Sequence, residues 1–418
     1  MVNNIEKVRK LNLCISCGIC QGVCPRDCIE LNKRGIPVID RNCTNCGTCL
    51  KYCPGLAANI EAIENLNTYM RGKIEKTYVG RTKNNRILRN AVSGGIVTDM
   101  ILQLLKCKMY DYAIGVGTTY FQKASEMRVY TINEFTEELQ KSVYTMASYA
   151  NVIRFVMDNP ETKIIIVGIG CVISAVKKFL MARGKIDNYL FVGLFCDCTL
   201  DKNIEYYFRR YANGLSQKIE GMEYRDKLRY GWPGNIKLIS DKGNVLIPRE
   251  ERYRVVPYFK RERCIYCLDH LNVNSDIAFG DNYTQQHSDI LGSNSIIVRT
   301  KKGMQIIDKL KTQVCLYEID ENEIIKSQNL KSKRIQYIYS LILKERTGVD
   351  INQNVNETIS YSKNNEQNMK EQIRNTYIGK WYNKWPFLFE LYLLKNGKTE
   401  LQNRFLAKKE LRKLRENK

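Results

Sequence analysis

Apolar and polar positions alternate in blocks along most of this chain. "KIIIVG" (Lys163 to Gly168) is a continuous apolar run of strand length, and "VISAVKKFLMAR" after it carries apolar residues at helical spacing. "YLFVGLF" (Tyr189 to Phe195) reads as the next strand, and "LDKNIEYYFRRYA" as the next amphipathic helix. Upstream, "YAIGVGTT" (Tyr112 to Thr119) reads as a strand, "NEFTEELQ" as helical and "SVYTMAS" as extended. From about Lys76 to Lys344 this alternation predicts an α/β layer structure with some parallel sheet. Ligands in such sheets sit beyond the C-terminal strand ends. Gly168 to Cys171 and Cys196 to Thr199 fall at two of them.

The pattern changes at both ends of that region. Near the N-terminus, "CIELNKRGIPVID" predicts a short hairpin, with apolar Ile29 and Leu31, a turn at Asn32 to Gly35, then Ile36 to Ile39. Residues 346–370 are polar and Asn-rich without periodicity, which predicts a flexible linker or long loop. Residues 371–418 form a basic, aromatic tail. From Arg374 to Lys418 it carries twelve Lys/Arg against four Glu, a net +8, with Trp381, Trp385, Phe387 and Phe389 ahead of Leu401, Phe405, Leu411 and Leu414 at approximately helical spacing. Such a tail suits a membrane-surface helix or a helix docked on a partner or on its own domain. The expected division is therefore 1–62, 75–345, a linker at 346–370 and a tail at 371–418.

Composition sharpens the picture. The chain has 418 residues, enough for two or three cores. No run approaches the ~18 apolar residues of a spanning helix, and Met1 leads into the first cysteine motif without an apolar signal region, so a soluble, cytoplasmic protein is expected. Sixteen cysteines in that compartment point to metal or redox chemistry rather than disulfides. The formal net charge of +22 favours an acidic partner. Nucleic acid is not expected, because no helix-turn-helix, zinc-finger or aromatic RNA-binding signature is present.

Two stretches carry the clearest chemistry. "CISCGICQGVCP" (Cys14 to Pro25) and "CTNCGTCLKYCP" (Cys43 to Pro54) both read C-x2-C-x2-C-x3-C-P. In this run the first three cysteines hold one [4Fe–4S] cluster and the fourth holds the other. Cys14, Cys17, Cys20 and Cys53 are thus one candidate ligand set, and Cys43, Cys46, Cys49 and Cys24 the second. Gly18 and Gly47 leave room for backbone amides near the sulfurs. Zinc, which favours two pairs at longer separation, fits this spacing poorly. Residues 5–60 resemble bacterial two-cluster ferredoxins, so the N-terminal part is expected to be a ferredoxin-type α+β domain ahead of a larger mixed α/β domain. Cys28 reads as a packed thiol beside a cluster, and Cys107 and Cys315 as core thiols.

Other residues allow two readings each. Ser93-Gly94-Gly95 opens an amphipathic run and suits either a phosphate at a helix N-terminus or a plain helix cap with Ser93 as N-cap. No G-x-G-x-x-G is present, so this is not a Rossmann dinucleotide site. Arg225, Asp226 and Lys227 form either a solvated turn or a cationic contact to an anion. Asp276, Gly280 and Asp281 suit a structural turn at least as well as a catalytic one. His270 and His287, the only histidines, fall in no base or ligand pattern. Cys264 and Cys267, a lone C-x2-C, could be half of a zinc site.

Eight pieces in order complete the reading: "SGGIVTDMILQLL" (from Ser93), "KSVYTMAS" (from Lys141), "VGIGCVISAVKK" (from Val167), "GLFCDC" (from Gly193), "YRDKLRYGW" (from Tyr224), "CIYCLDH" (from Cys264), "SDIAFGDNY" (from Ser275) and "GSNSIIVRTKKG" (from Gly292). Together they resemble the coenzyme F420 hydrogenase/dehydrogenase beta-subunit family over about residues 75–310. The resemblance implies an iron–sulfur flavoprotein with FAD, one [4Fe–4S] cluster in this domain and a second redox partner beside the flavin. It implies Cys171, Cys196, Cys264 and Cys267 as the third cluster's ligands, with Cys198 able to replace Cys196. Gly170 stands where the family usually has Pro. Ser93, Gly94, Gly95 and Thr98, with Lys141, Ser142 and Tyr144, are the implied flavin contacts, and Arg225 and Lys227 are further candidates. The implied activity passes electrons from a low-potential donor such as a ferredoxin, through clusters and FAD, to a small molecule or the deazaflavin F420. A non-catalytic electron-transfer subunit of a larger redox complex is the alternative.

Overall fold

The structure is a computed structural model describing residues 3–396 except 57–64, 118–120, 122–124, 136–140, 185, 214–217, 354 and 356. Its strands are β1 (Ile29–Leu31), β2 (Pro37–Ile39), β3 (Lys76–Thr82), β4 (Tyr112–Gly117), β5 (Glu126–Tyr130), β6 (Ile164–Ile169), β7 (Tyr189–Leu194), β8 (Ile219–Asp226), β9 (Asn235–Ser240), β10 (Val245–Ile247), β11 (Ile277–Asp281), β12 (Asn294–Val298) and β13 (Val314–Glu318). Eight form one sheet in the order β13-β3-β12-β11-β7-β6-β4-β5. The central β11, β7, β6 and β4 run parallel, and antiparallel strands close both flanks. The mixed α/β architecture expected from the alternating pattern is therefore present.

The central strands are apolar because both faces are covered. The Ile164, Ile165 and Ile166 side chains are all fully buried, the first and third in one core and the second in the other. Helices Gly170–Met181 and Ala150–Asp158 cover one face, and Ile96–Lys106 and Lys301–Leu310 the other. β8, β9 and β10 form a separate antiparallel sheet packed on helices Asn203–Asn213 and Arg249–Phe259. Of the segment read as helical at 133–140, residues 136–140 lie outside the described ones, and Asn133 and Glu134 form a turn.

The hairpin β1–β2 pairs Ile29 with Ile39, and Asn32 closes its turn by accepting from the Arg34 and Ile36 amides. The surrounding N-terminal module is clasped by the large domain. The Tyr149 amide donates to Cys17 O (2.8 Å), and Arg263 Nε donates to the Pro54 and Gly55 carbonyls. Arg34 in the hairpin turn and Arg261 both pair with buried Asp201, at 2.6 and 3.1 Å. Ile19 and Val23 share one core with Val152, Ile153 and Val156.

Two expectations need correction. The segment 346–370 is a long loop between two helices rather than a structureless linker. Helix Arg334–Thr347 runs into it and ends at Gly348 in the left-handed region, while Ser362 and Asn365 form a capping box that starts helix Lys363–Lys380. Between them Ile351 is fully buried, Asn352 donates to Tyr266 O (3.2 Å), and Val355 O accepts from Tyr337. Its polar residues are spent partly on protein backbone rather than on water. Cys107 is not a core thiol either: it caps helix Ile96–Lys106 on the exposed side, and Cys315 is half-buried.

The first part of the tail docks on its own domain. Helix Lys363–Lys380 crosses the large domain so closely that a Cβ at Gly379 would stand 1.8 Å from Tyr258 O. Asn203 Nδ2 donates to Gly379 O (3.0 Å) and Lys380 O (3.1 Å) beside it. Helix Pro386–Asn396 adds Phe389 and Leu393 to the core around Tyr207 and Phe259. Residues 397–418 lie outside the described ones. Because a backbone carbonyl cannot turn aside, Gly379→Ala should cost about 1–3 kcal/mol. The measurement is thermal melting of the purified protein with its iron content determined in parallel. A lower melting temperature with iron unchanged is expected, and an unchanged melting temperature would show that the crossing is not tight.

Candidate functional site

The eight N-terminal repeat cysteines surround two small cavities. One is lined by Cys14, Cys17, Cys20 and Cys53, the other by Cys24, Cys43, Cys46 and Cys49. Each cavity thus takes three cysteines from one repeat and the fourth from the other. Local geometry explains the grouping. Gly18 and Gly47 both sit in the left-handed region, each starting a one-turn helix, so the two repeats fold as near copies. At Gly18 a Cβ would also strike Ser148 Oγ at 2.0 Å. Sulfur acceptors are served by nearby donors: the Ser16 amide to Cys14, the Gly55 amide to Cys53, Asn4 Nδ2 to Cys43. Cys28 is buried with its sulfur 3.5 Å from that of Cys24. The second cavity is the outer one. Cys46 is exposed, and exposed Arg26, Arg41 and Lys51 stand nearby in the chain.

Cys171, Cys196, Cys264 and Cys267 also come together. β6 and β7 are parallel neighbours in register from Ile164 with Tyr189 to Ile169 with Leu194, so Cys171 and Cys196 each lie two residues past paired strand ends. Fully buried Asn272 ties those ends by donating to Gly168 O (2.8 Å) and Leu194 O (3.3 Å). Cys264 lies in the one-turn helix Glu262–Tyr266, with Cys267 as its C-cap. The Thr199 amide donates to the Cys264 sulfur (3.4 Å). Burial pushes the Cys171 and Cys196 thiols well above the usual range, and the other cysteines of the group push the same way. A buried thiol quartet of this kind suits a cationic core that would hold all four as thiolates. Cys198 lies close enough to feel Cys264 and, more strongly, the Lys260 ammonium. Gly170 is accounted for by its neighbour: a Cβ there would lie 2.1 Å from Asp269 Oδ2. Among the described residues no three His, Cys, Asp or Glu side chains converge tightly enough for a single metal ion. His270 instead bonds to Gln328 (3.3 Å), and His287 stacks on Tyr317.

The inner thiol group faces the first cavity across one side chain. Cys171 and Cys17 both act electrostatically on buried Tyr149. Tyr149 donates its hydroxyl to Val167 O (2.7 Å), on β6 just before Cys171. The three cysteine groups therefore form a series running from the exposed Cys46 side, past Cys17, to Cys171.

The implied flavin contacts are only partly gathered. Lys227 Nζ donates to Ser93 O (2.6 Å) and to Leu291 O. Arg225 donates to Pro233 O (2.8 Å), to the Tyr144 hydroxyl (3.4 Å) and to Asp281 (2.6 Å). Trp232 and Tyr283 also donate to Asp281. Lys141 pairs with Glu223 at 3.2 Å. Burial and the charges of Arg225 and Lys141 lower the Lys227 pKa to about 8. Ser93 is not the N-cap; that place belongs to Gly95, in the left-handed region, while Ser93 Oγ donates to Ser293 O (2.8 Å). Gly94 is required by protein packing, since a Cβ there would strike Asn294 and Gly80 O. Thr98 is buried within the helix, and Ser142 is exposed on its loop. Two buried polar atoms here lack partners, Arg225 Nη2 and Asn294 Oδ1. Sequence reasoning missed Tyr149 and Asn272, whose partners lie on other elements, and did not single out Asn294 within the motif that begins at Gly292.

Comparison with known proteins places this constellation. Residues 77–154 match the N-terminal model of the family described as "Coenzyme F420 hydrogenase/dehydrogenase, beta subunit", and residues 161–323 match its C-terminal model. One component of the F(420)H(2) dehydrogenase of Methanosarcina mazei is 23% identical over 341 residues, covering 76% of this chain and 88% of that protein. Coenzyme F420-dependent sulfite reductase of Methanocaldococcus jannaschii is 23% identical over 358 residues, 79% of this chain but 51% of that protein, so the chain spans about half of its length. Over 69 residues, 15% of this chain and 21% of that protein, it is 33% identical to one component of the Na(+)-translocating ferredoxin:NAD(+) oxidoreductase complex of Acetobacterium woodii. A chain of the F420-reducing [NiFe] hydrogenase complex from Methanosarcina barkeri has the same fold, with a TM-score of 0.52 at 20% identity over 69% of this chain and 97% of that one. The two matched regions together span more than half of the sequence, and the protein belongs to the coenzyme F420 hydrogenase/dehydrogenase beta-subunit family.

Proposed function

We propose that this protein is a cytoplasmic iron–sulfur flavoprotein oxidoreductase that passes electrons between a redox partner protein, such as a ferredoxin, and a small molecule or the deazaflavin F420. The observation that carries the proposal is the series of three four-cysteine groups, the outermost at the surface and the innermost at the C-terminal ends of β6 and β7. [4Fe–4S] clusters held there supply one-electron transfer, and FAD supplies conversion between one- and two-electron steps. The chain's own residues set the frame. Tyr149 fills the space between the first and third groups and keeps water out, while Asn272 fixes the strand ends that carry Cys171 and Cys196. Arg225 and Lys227, with Lys141 close by, are the chain's cationic groups for flavin diphosphate or an anionic substrate, balanced here by Asp281 and Glu223. The names of the relatives support F420 or ferredoxin as reaction partners. Among the described residues no helix is long and apolar enough to cross a membrane.

The alternative, a non-catalytic electron-transfer subunit, draws on a different observation. Asp281 already neutralises Arg225, and two backbone carbonyls already hold Lys227, so this region is largely satisfied by protein. Iron and flavin counted on protein purified without oxygen distinguish the two. About twelve irons per chain with one FAD is the expected result. About eight irons and no flavin would overturn the flavoenzyme and favour the electron-transfer subunit.

A further inference from the structure

The C-terminal helices leave a ridge with no covering among the described residues. Phe389 and Leu393 point into the domain, but Phe387, Leu388 and Leu391 on the opposite side of helix Pro386–Asn396 are exposed, by 63, 56 and 44%. Trp381 and Trp385, in the turn before that helix, are each 53% exposed. Five large exposed apolar side chains thus fall within eleven residues of the chain. Single exposed apolar residues are ordinary, whereas a contiguous group marks an interaction site.

Charge indicates what the ridge meets. Lys384 Nζ lies 5.5 Å from the Trp381 ring centre, whereas Lys380 turns inward to Glu262 (3.7 Å) and Asn12 (3.1 Å). Glu390, the only acidic residue of the helix, faces away and pairs with Arg210 (3.4 Å). The sequence then continues with Lys398, Arg404, Lys408, Lys409, Arg412 and Lys413. Folding this basic segment back onto a basic ridge would set like charges together. A second copy of the chain would meet the same repulsion. An apolar ridge of Trp, Phe and Leu beside Lys384, followed in sequence by a strongly basic segment, instead matches a surface with an apolar interior and anionic headgroups.

We propose that Trp381, Trp385, Phe387, Leu388 and Leu391 form an interfacial anchor that seats the protein on anionic lipid bilayers. The anchor lies on helices distinct from the cysteine groups, so it would hold the protein at a membrane surface without using the redox site.

The test is co-sedimentation of the full-length, anaerobically purified protein with phosphatidylcholine vesicles, with or without about one third phosphatidylglycerol. Binding to the anionic vesicles only, weakened by salt, is expected. W385A/L388A should reduce the bound fraction at least tenfold, with iron content and melting temperature unchanged, because both side chains are exposed. K384E should weaken binding and make its remaining loss with salt shallower, because one cationic contact to the headgroups is gone. Equal binding to neutral vesicles, or unchanged binding of W385A/L388A, would overturn the proposal. So would absence of lipid binding, whether the ridge then proves to mediate self-association in light scattering or to hold an acidic protein.

Discussion

Cys264→Ser is expected to lower the iron content from about twelve to about eight per chain while both N-terminal clusters remain. Cys264 lies in the innermost cysteine group and on none of the contacts that gather the other eight thiols. The substitution is nearly isosteric, and the Thr199 amide, now 3.4 Å from the sulfur, can donate to the serine oxygen instead. The fold should therefore persist, which a melting curve checks. Loss of the innermost cluster breaks the series at its inner end, so a low-potential donor should still reduce the protein's N-terminal clusters, but turnover with that donor should fall by at least a hundredfold. Cys198→Ser is the matched control. Cys198 lies beside Lys260 as well as the group, and its replacement should leave iron at about twelve. Iron of about twelve in Cys264→Ser, or of about eight in Cys198→Ser, would mean that the innermost ligands are wrongly assigned.

What the sequence discloses depends on how far apart the interacting residues are. The strands β4, β6 and β7 and their following helices are visible as apolar runs and 3.6-residue periods because each element writes its own pattern. The cysteine repeats are visible for a similar reason, since three of each four are within seven residues. β8 is harder to see. A register shift between Ile219 and Gly221 breaks its two-residue alternation, so its inward positions no longer fall on one parity. The segment 346–370 misleads through composition, because Asn side chains that bond to protein backbone look the same in sequence as those that bond to water. Ile351 is a single anchor in a polar stretch, too little to register as a pattern. The inner cysteine group depends on Asn272 joining Gly168 to Leu194, and on Tyr149 lying between Cys17 and Cys171. Those partners are dozens of residues apart and belong to different periodic elements. Only the ordered set of family motifs hinted that they meet.

The same long-range character makes Asp201 a decisive residue. Its carboxylate is buried between Arg34, on the turn of the N-terminal hairpin, and Arg261, three residues before Cys264. It thereby joins the module of the first two cysteine groups to the loop of the third. Burial alone would raise its pKa, but Arg261 and Arg34 outweigh burial and hold it below the usual carboxylate range. A carboxyl depressed in the folded state binds protons less readily there than in the unfolded chain. Its contribution is therefore complete above a pH of about 4, the unfolded value, and is lost as pH falls through the lower folded value. Asp201→Asn keeps the volume and can still accept from the Asn203 amide, now bonded at 3.0 Å, but leaves two guanidinium groups facing each other without a counterion. Removing one partner of a fully buried pair costs about 3–5 kcal/mol. Arg34 is 38% exposed and recovers some hydration, so about 2 kcal/mol is the expected loss. Because that loss falls on the contact between modules, the hairpin should become cleavable by trypsin at Arg34 at neutral pH. Wild-type protein should lose its stability advantage over Asp201→Asn only on acidification below about pH 4, seen as melting temperatures of the two proteins that converge there. Equal resistance of the two proteins at neutral pH would show that the apolar contacts of Ile19 and Val23 hold the modules together unaided, and that the ion pairs only fix their orientation.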